Sequence, residues 1–217
     1  MRKRKFLAFS FLVVAASLSA KINVATPSSI AVHDVVKSGT TESVLQALAE
    51  KHHVVIGVYG IIAGVDEPTI NISIKNGSLS DVFDAITKAD PRFEWEQTSN
   101  GSVHFVTRGA PNTLMDVPVH SFDDKNPRVL DFTGHLLRVP EIHGWLRDHK
   151  CDMIHRIIIA GQPPQEWRQF SVHAMDIPFS SILDEVAAKS RTYYWSTIQD
   201  STKLCQLDVG WGDPQPK

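Results

Sequence analysis

The sequence predicts an α+β fold of two tandem small β-α-β-β-α-β-β units, the second carrying an extra helical insertion. Three observations predict it. First, an alternating strand pattern, Thr69-Ile-Asn-Ile-Ser-Ile74, returns about a hundred residues later as Gln169-Phe-Ser-Val-His-Ala174. Second, each strand runs into a segment with apolar residues at i, i+3, i+4 and i+7. These are Leu79, Val82, Phe83 and Ile86 in the first copy, and Phe179, Ile182, Leu183 and Val186 in the second. That spacing lines one face of a helix. Third, an aromatic strand follows in both places, Phe93-Glu-Trp95 and Tyr193-Tyr-Trp195, and Ser80, Asp84 and Trp95 recur as Ser180, Asp184 and Trp195. Self-similarity at a fixed offset is the mark of one supersecondary unit used twice.

The chain opens with Arg2, Lys3, Arg4 and Lys5, an apolar run from Phe6 to about Ala16, and the small residues Ser17-Leu-Ser19-Ala20. This is the layout of a secretory signal peptide over residues 1–20. The apolar run is shorter than the roughly 20 residues that a membrane span needs, and no later stretch has the length to cross. A periplasmic or secreted location is expected. The full chain has 22 Lys plus Arg against 24 Asp plus Glu. Removing the four basic leader residues leaves 18 against 24, about −6. A mildly acidic chain without clustered Lys and Arg argues against a nucleic-acid platform or a polybasic membrane binder.

The first unit is expected over residues 21–107. Its start, Lys21 to Ser29, is small and polar, and Ile30 to Val35 alternates as a strand. Thr40 or Thr41 can cap a helix whose apolar face is Val44, Leu45 and Leu48 and which ends near His52 and His53. Val54 to Tyr59 is short and β-branched, and Gly57, Gly60 and Gly64 are expected to break it into a loop reaching Pro68. Ile70, Ile72 and Ile74 share one strand face. Asn76-Gly77 turns the chain, and Ser78 with Asp81 forms a Ser-x-x-Asp capping box. After Asp90-Pro91, the strands at Phe93–Trp95 and Val103–Phe105 flank Asn100-Gly101, which is expected to make a hairpin turn with positive φ at both positions.

Residues 108–113 read as a linker. The second unit, 114–211, restarts with Val117 to Phe122, which parallels Ile30 to Val35, and Val129-Leu130 parallels Val44-Leu45. Val32 and Ser80 are 48 positions apart and Val119 and Ser180 are 61 apart, so the second unit carries about 13 extra residues. Pro140 to His149 fills that space, with Ile142, Trp145 and Leu146 on one helical face; an alternative alignment makes this segment the counterpart of the first helix. Ile157 to Ile159 and Phe170 to Val172 are expected strands around the loop Gly161 to Pro164. Residues 212–217 read as a disordered tail.

The first unit resembles a known family. Val44 to Leu48, Val54 to Tyr59, Ile70 to Ile74 and Ser78 to Ile86 are similar in pattern and spacing to the secretin and TonB short N-terminal domain. The resemblance covers about residues 30–107, with a diverged copy over about 114–211. It implies a periplasmic docking and signalling module of outer-membrane secretins and transport receptors that works through protein contacts and needs no cofactor. With no secretin ring or receptor barrel following within 217 residues, the resemblance implies a soluble partner or free-standing relative.

Weighed individually, the chemical motifs are weak. His149, Cys151 and His155 are the tightest metal-type cluster, but no second ligand pair accompanies them. No Gly-x-Ser-x-Gly elbow, His-Glu-x-x-His or phosphate-cradling loop is present. Asp84 and Asp184 are expected on solvated outer helix faces, and Trp95 and Trp195 in core packing. Cys151 and Cys205 are a possible disulfide closing a loop of about 50 residues, worth about 4 kcal/mol on the chain-entropy model, or a pair of buried thiols. The leading expectation is a non-catalytic protein-interaction module of the cell envelope, tied to secretion or outer-membrane transport, with no catalytic or metal residues and with Ile70, Ile72 and Ile74 as the candidate partner-binding strand. A small exported hydrolase or metal-dependent enzyme, and a small-ligand or glycan binder at the cleft between units, are the alternatives.

Overall fold

The computed structural model describes residues 26–63, 67–109, 114–125, 129–136, 138–153, 170–200 and 205–212. The leader, most of the linker, Ile157 to Ile159, the Gly161 to Pro164 loop and residues 213–217 lie outside them. The fold is α+β. The first half runs β1 (Ala31–Thr40), α1 (Thr41–His52), β2 (Ile56–Ala63), β3 (Thr69–Ser78), α2 (Leu79–Ala89), β4 (Phe93–Gln97) and β5 (Val103–Thr107). That is the expected element order. The second half runs β6 (Pro118–Val119), β7 (Phe122–Lys125), α3 (Val129–Leu136), α4 (Pro140–Asp148), β8 (Cys151–Met153), β9 (Ser171–Ala174), β10 (Ile177–Pro178), α5 (Phe179–Ser190), β11 (Tyr194–Asp200) and β12 (Cys205–Trp211).

Local chemistry sets the helix boundaries. Thr40 accepts from the Ser43 amide and starts α1, and His53 ends it in the left-handed conformation at φ 53°. Ser78 and Asp81 form the expected reciprocal capping box of α2, satisfying two amides that a helix start leaves without intrahelical partners. α4 leads into β8 through Lys150 at φ 54°, as α1 leads towards β2 through His53. By that criterion α4, rather than α3, occupies the place of α1.

Six strands from both halves form one sheet in the order β4-β5-β2-β11-β12-β8. β4 is antiparallel to β5, and β5 is parallel to β2. β11 is antiparallel to β12, and β12 is parallel to β8. Each half thus contributes the same three-strand arrangement, and the halves join through a parallel ladder between β2 and β11. Antiparallel pairs, the ten-residue β1 with β3 and the shorter β7 with β9 and β6 with β10, lie outside this sheet.

Two corrections concern glycine. Gly57 and Gly60 do not end the strand, since β2 continues to Ala63. Gly60, at φ 84°, sits where the β2–β11 register shifts, between Val58↔Ser196 and Ile61↔Ile198, so it forms a bulge. In the β4–β5 turn, Gly101 has φ 88° while Asn100 does not adopt positive φ. The Gly101 amide donates to the Thr98 carbonyl (3.0 Å) and the Thr98 amide to the Ser102 carbonyl (2.9 Å). A type I turn followed by a glycine bulge has therefore replaced the expected two-residue turn.

Each sheet face carries one core. Val44, Leu48, Ile72, Phe83 and Phe105 belong to the first, and Phe132, Ile142, Phe179, Leu183 and Trp195 to the second. Tyr194 of the second half packs in the first core, and Tyr59 of the first half packs in the second. Alternation along a strand explains this exchange, because neighbours such as Tyr194 and Trp195 point to opposite faces. No helix among the described residues is long and apolar enough to cross a membrane.

Candidate functional site

Among the described residues, the junction between the halves carries the most elaborate polar site. Asp184, on α5, is 2% exposed and His104, on β5, 3% exposed. Trp195 Nε1 donates to Asp184 Oδ1 at 2.8 Å. His104 Nε2 lies 3.1 Å from both carboxylate oxygens, and Asn100 Nδ2 donates to Oδ2 at 3.2 Å. An ionised carboxylate only accepts, so the proton of this His–Asp contact sits on Nε2. Three donors from β11, β5 and the β4–β5 turn satisfy the charge that α5 buries, as a buried carboxylate requires. Asp184 is therefore not on a solvated face as expected. A packed aromatic wall surrounds it: Trp195 stacks on Tyr59 at 6.0 Å and meets the His104 ring edge-on at 5.4 Å. Burial, with nearby carboxylates led by Glu96, pushes the Tyr59 hydroxyl above its ordinary range. The constellation has the residue types of an acid–base pair, but its oxygens are already taken by protein donors. Its evident work is to hold α5 onto the first half.

Gly57 makes the junction possible. A Cβ there would lie 2.2 Å from Trp195 Cζ2 and 2.4 Å from Cε2. Only a residue without a side chain lets the indole lie against β2, which pairs Gly57 with Trp195 in the ladder.

The equivalent surface of the first half is open. Trp95 Nε1 donates to Asp84 Oδ1 at 2.8 Å, the same bond as in the second half, but Asp84 is exposed and Trp95 half-buried. The stripe Ser180, Asp184 and Ala187 on α5 is buried, whereas Ser80, Asp84 and Thr87 on α2 are half-buried or exposed. Among the described residues, β4 is the end strand of the sheet. The Arg108 amide donates to the Arg92 carbonyl and the Thr98 amide to the Ser102 carbonyl. By the alternation of an antiparallel ladder, Glu94 and Glu96 then bond to β5, while the main chain of Phe93, Trp95 and Gln97 points outward.

Ile70, Ile72 and Ile74 turn their side chains into the first core. Ile70 and Ile72 are 3% and 4% exposed, and Ile74 packs against the same core. β3 pairs with β1 from Ala31↔Ser78 to Thr40↔Thr69. Cys151 is disulfide-bonded, and its ladder neighbour on β12 is Cys205, the other cysteine of the chain. In that state it offers neither a thiolate nucleophile nor a metal ligand. His149 stacks on Trp145 at 3.9 Å with Nδ1 on the Trp145 carbonyl, and His155 lies outside the described residues. An open cleft of about 300 Å³ between β7 and the end of α3 with its connection to α4 is lined by Asp123, Asp124, His135 and Arg138. His135 and Asp124 already pair across it.

The signal for the junction was present in the sequence as the Asp-Trp recurrence and the glycine at position 57. What sequence reasoning missed was His104 and Asn100, whose role depends on a partner 80 residues away or more. No protein-family model matches the chain, and no curated protein matches it.

Proposed function

We propose that this chain is a non-catalytic protein-interaction module of the cell envelope, docking on secretion or outer-membrane transport machinery. The observation that carries the reading is the strand addition inside the molecule: β2 of one half extends the sheet of the other through β11, while β4 ends that sheet with an outward-facing main chain. A fold that already associates by adding strands, and keeps an end strand open, suits recognition of an extended partner edge. The first half's order β1-α1-β2-β3-α2-β4-β5 supports the resemblance to the short N-terminal domain, and the Arg2 to Ala20 pattern supports export. The polar cluster around Asp184, the most elaborate among the described residues, has its carboxylate oxygens engaged by protein donors, which supports binding as the reading of its unusual residues.

Crosslinking the mature protein in an envelope fraction, with captured chains identified by mass spectrometry, tests this. Reproducible recovery of a secretin or an outer-membrane receptor is the expected result. No such component across several crosslinker lengths would overturn the reading and move metal analysis and hydrolase screening to the front.

A further inference from the structure

The two Asp-Trp surfaces differ first in what covers them. In the second half the cover is an edge of the first: β2 lies parallel to β11, Gly57 faces Trp195, the Ile56 amide donates to the Tyr193 carbonyl (2.9 Å), and His104 and Asn100 complete Asp184. In the first half every receiving element has its counterpart. β4 stands for β11, Trp95 for Trp195, Asp84 for Asp184, and the outward carbonyl of Phe93 for that of Tyr193. We propose that this surface binds a partner protein through a strand added parallel to β4, with a glycine opposite Trp95 and basic side chains beside Glu94 and Glu96. The proposal rests on the docking reading above and specifies its site and the chemistry of its partner.

The charge of the partner strand follows from where the two surfaces diverge. The positions flanking Trp195 are Tyr194 and Ser196, both buried. The positions flanking Trp95 are Glu94 and Glu96, both exposed. An uncovered edge with two like charges repels a second β4 edge and attracts a strand bearing Lys or Arg. A second copy is also a poor match through β8, since Cys151–Met153 holds no glycine. The glycine requirement follows from the indole. Trp195 is accommodated only because Gly57 has no Cβ, and Trp95 makes the same bond to its aspartate from the same place beside the strand.

The test uses the chain's own strand as probe: a peptide of residues Val54–Tyr59 with Ile56→Lys and Val58→Lys, titrated into the isotope-labelled mature protein. The expected result is saturable shifts at the amides of Phe93, Trp95 and Gln97 and at the Trp95 indole. A peptide that also carries Gly57→Val should bind at least about tenfold more weakly, as should the two-lysine peptide with Gly57 intact on a Glu94→Lys/Glu96→Lys protein, whose exposed substitutions leave the fold intact. Equal binding of the Gly57→Val peptide, or no saturable shift at β4, would overturn the proposal. So would a concentration-dependent mass increase of the protein alone that the Glu94→Lys/Glu96→Lys variant abolishes, because it would place a second copy on the edge. Crosslinking separates the two levels. A secretin or receptor captured equally well by that variant would overturn this site and leave the docking reading standing.

Discussion

The Asp184–Trp195 and Asp84–Trp95 pairs share a 2.8 Å hydrogen bond and the same spacing of eleven residues, yet one is sealed in the interior and the other faces water. The bond itself is local, set by a helix and the strand that follows it. Its surroundings are not: β2 and β5 cover the second pair, and among the described residues no strand lies beyond β4 to cover the first. One sequence motif therefore has two energetic meanings, and the difference is supplied by the neighbour. The largest effect follows directly. Asp184→Ala leaves the Trp195, His104 and Asn100 donors without their acceptor in a dry site and should cost about 3–5 kcal/mol. Asp84→Ala should cost about 0.5 kcal/mol, because water replaces the lost acceptor. Urea denaturation of both variants checks this, and equal losses would break the comparison.

Gly57 sharpens the same contrast from the other side of the junction. Gly57→Ala drives a methyl group into the Trp195 ring and should destabilise the chain by about 3 kcal/mol, with much of the loss recovered when Trp195→Phe is added. A double-mutant cycle measures that recovery. Additive losses would mean that the glycine serves backbone conformation rather than the indole. A smaller effect belongs to the far end of the sheet. β8 meets β12 in a ladder that opens with Cys151 opposite Cys205, and the disulfide at Cys151 reinforces that attachment. Cys151→Ser should cost about 2 kcal/mol and raise amide exchange in β8 and β12 while leaving β4 and β5 protected. Uniform loss of protection would show that the two ends of the sheet are not independent.

These differences explain what could be read from the sequence. The Ser78–Asp81 box, the i, i+3, i+4, i+7 faces of α2 and α5, and the order of elements up to β5 depend on residues within a few turns of one another, and all were legible. Asn100-Gly101 was half legible: a turn was expected, but its type depends on the Thr98 and Ser102 main chain closing the loop. Asp184 was misread as solvated because nothing near it in sequence announces its cover. Gly57 was misread as a strand breaker because its reason, Trp195, lies 138 positions away. In the same way Ile70, Ile72 and Ile74 had the alternation of a strand, but alternation gives no sign of whether the apolar side meets a partner or the chain's own α2. Burial of Ile70 and Ile72 in the core with Phe83 answers that.

The ends of the two matching helices give the smallest and most specific contrast. On α5 the position matching Asp90 is an uncharged serine: Ser190 Oγ donates to the Val186 carbonyl at 2.6 Å and lies 3.2 Å from Thr192 Oγ1. α2 finishes at Asp90, which is 1% exposed and accepts from Thr41 Oγ1 (2.7 Å), Arg92 Nε (2.8 Å) and Arg92 Nη2 (2.7 Å). Burial alone would raise the Asp90 carboxyl, but the bonds from Arg92 and Thr41 outweigh it and hold the group below its ordinary 3.8. Asp81, at the other end of α2, is also held low, by its bonds from the Ser78 amide and hydroxyl. A carboxyl lowered on folding contributes stability that is complete above its unfolded value and is lost as pH falls through the folded one. The chain should accordingly lose stability below about pH 4, and Asp90→Asn should remove part of that acid loss while costing about 1 kcal/mol at neutral pH. Denaturation midpoints of both proteins between pH 3 and 7 measure it. Parallel curves would mean that the Arg92–Asp90 pair contributes the same in either protonation state, and that the charged end of α2 is no stronger a lock than the hydroxyl end of α5.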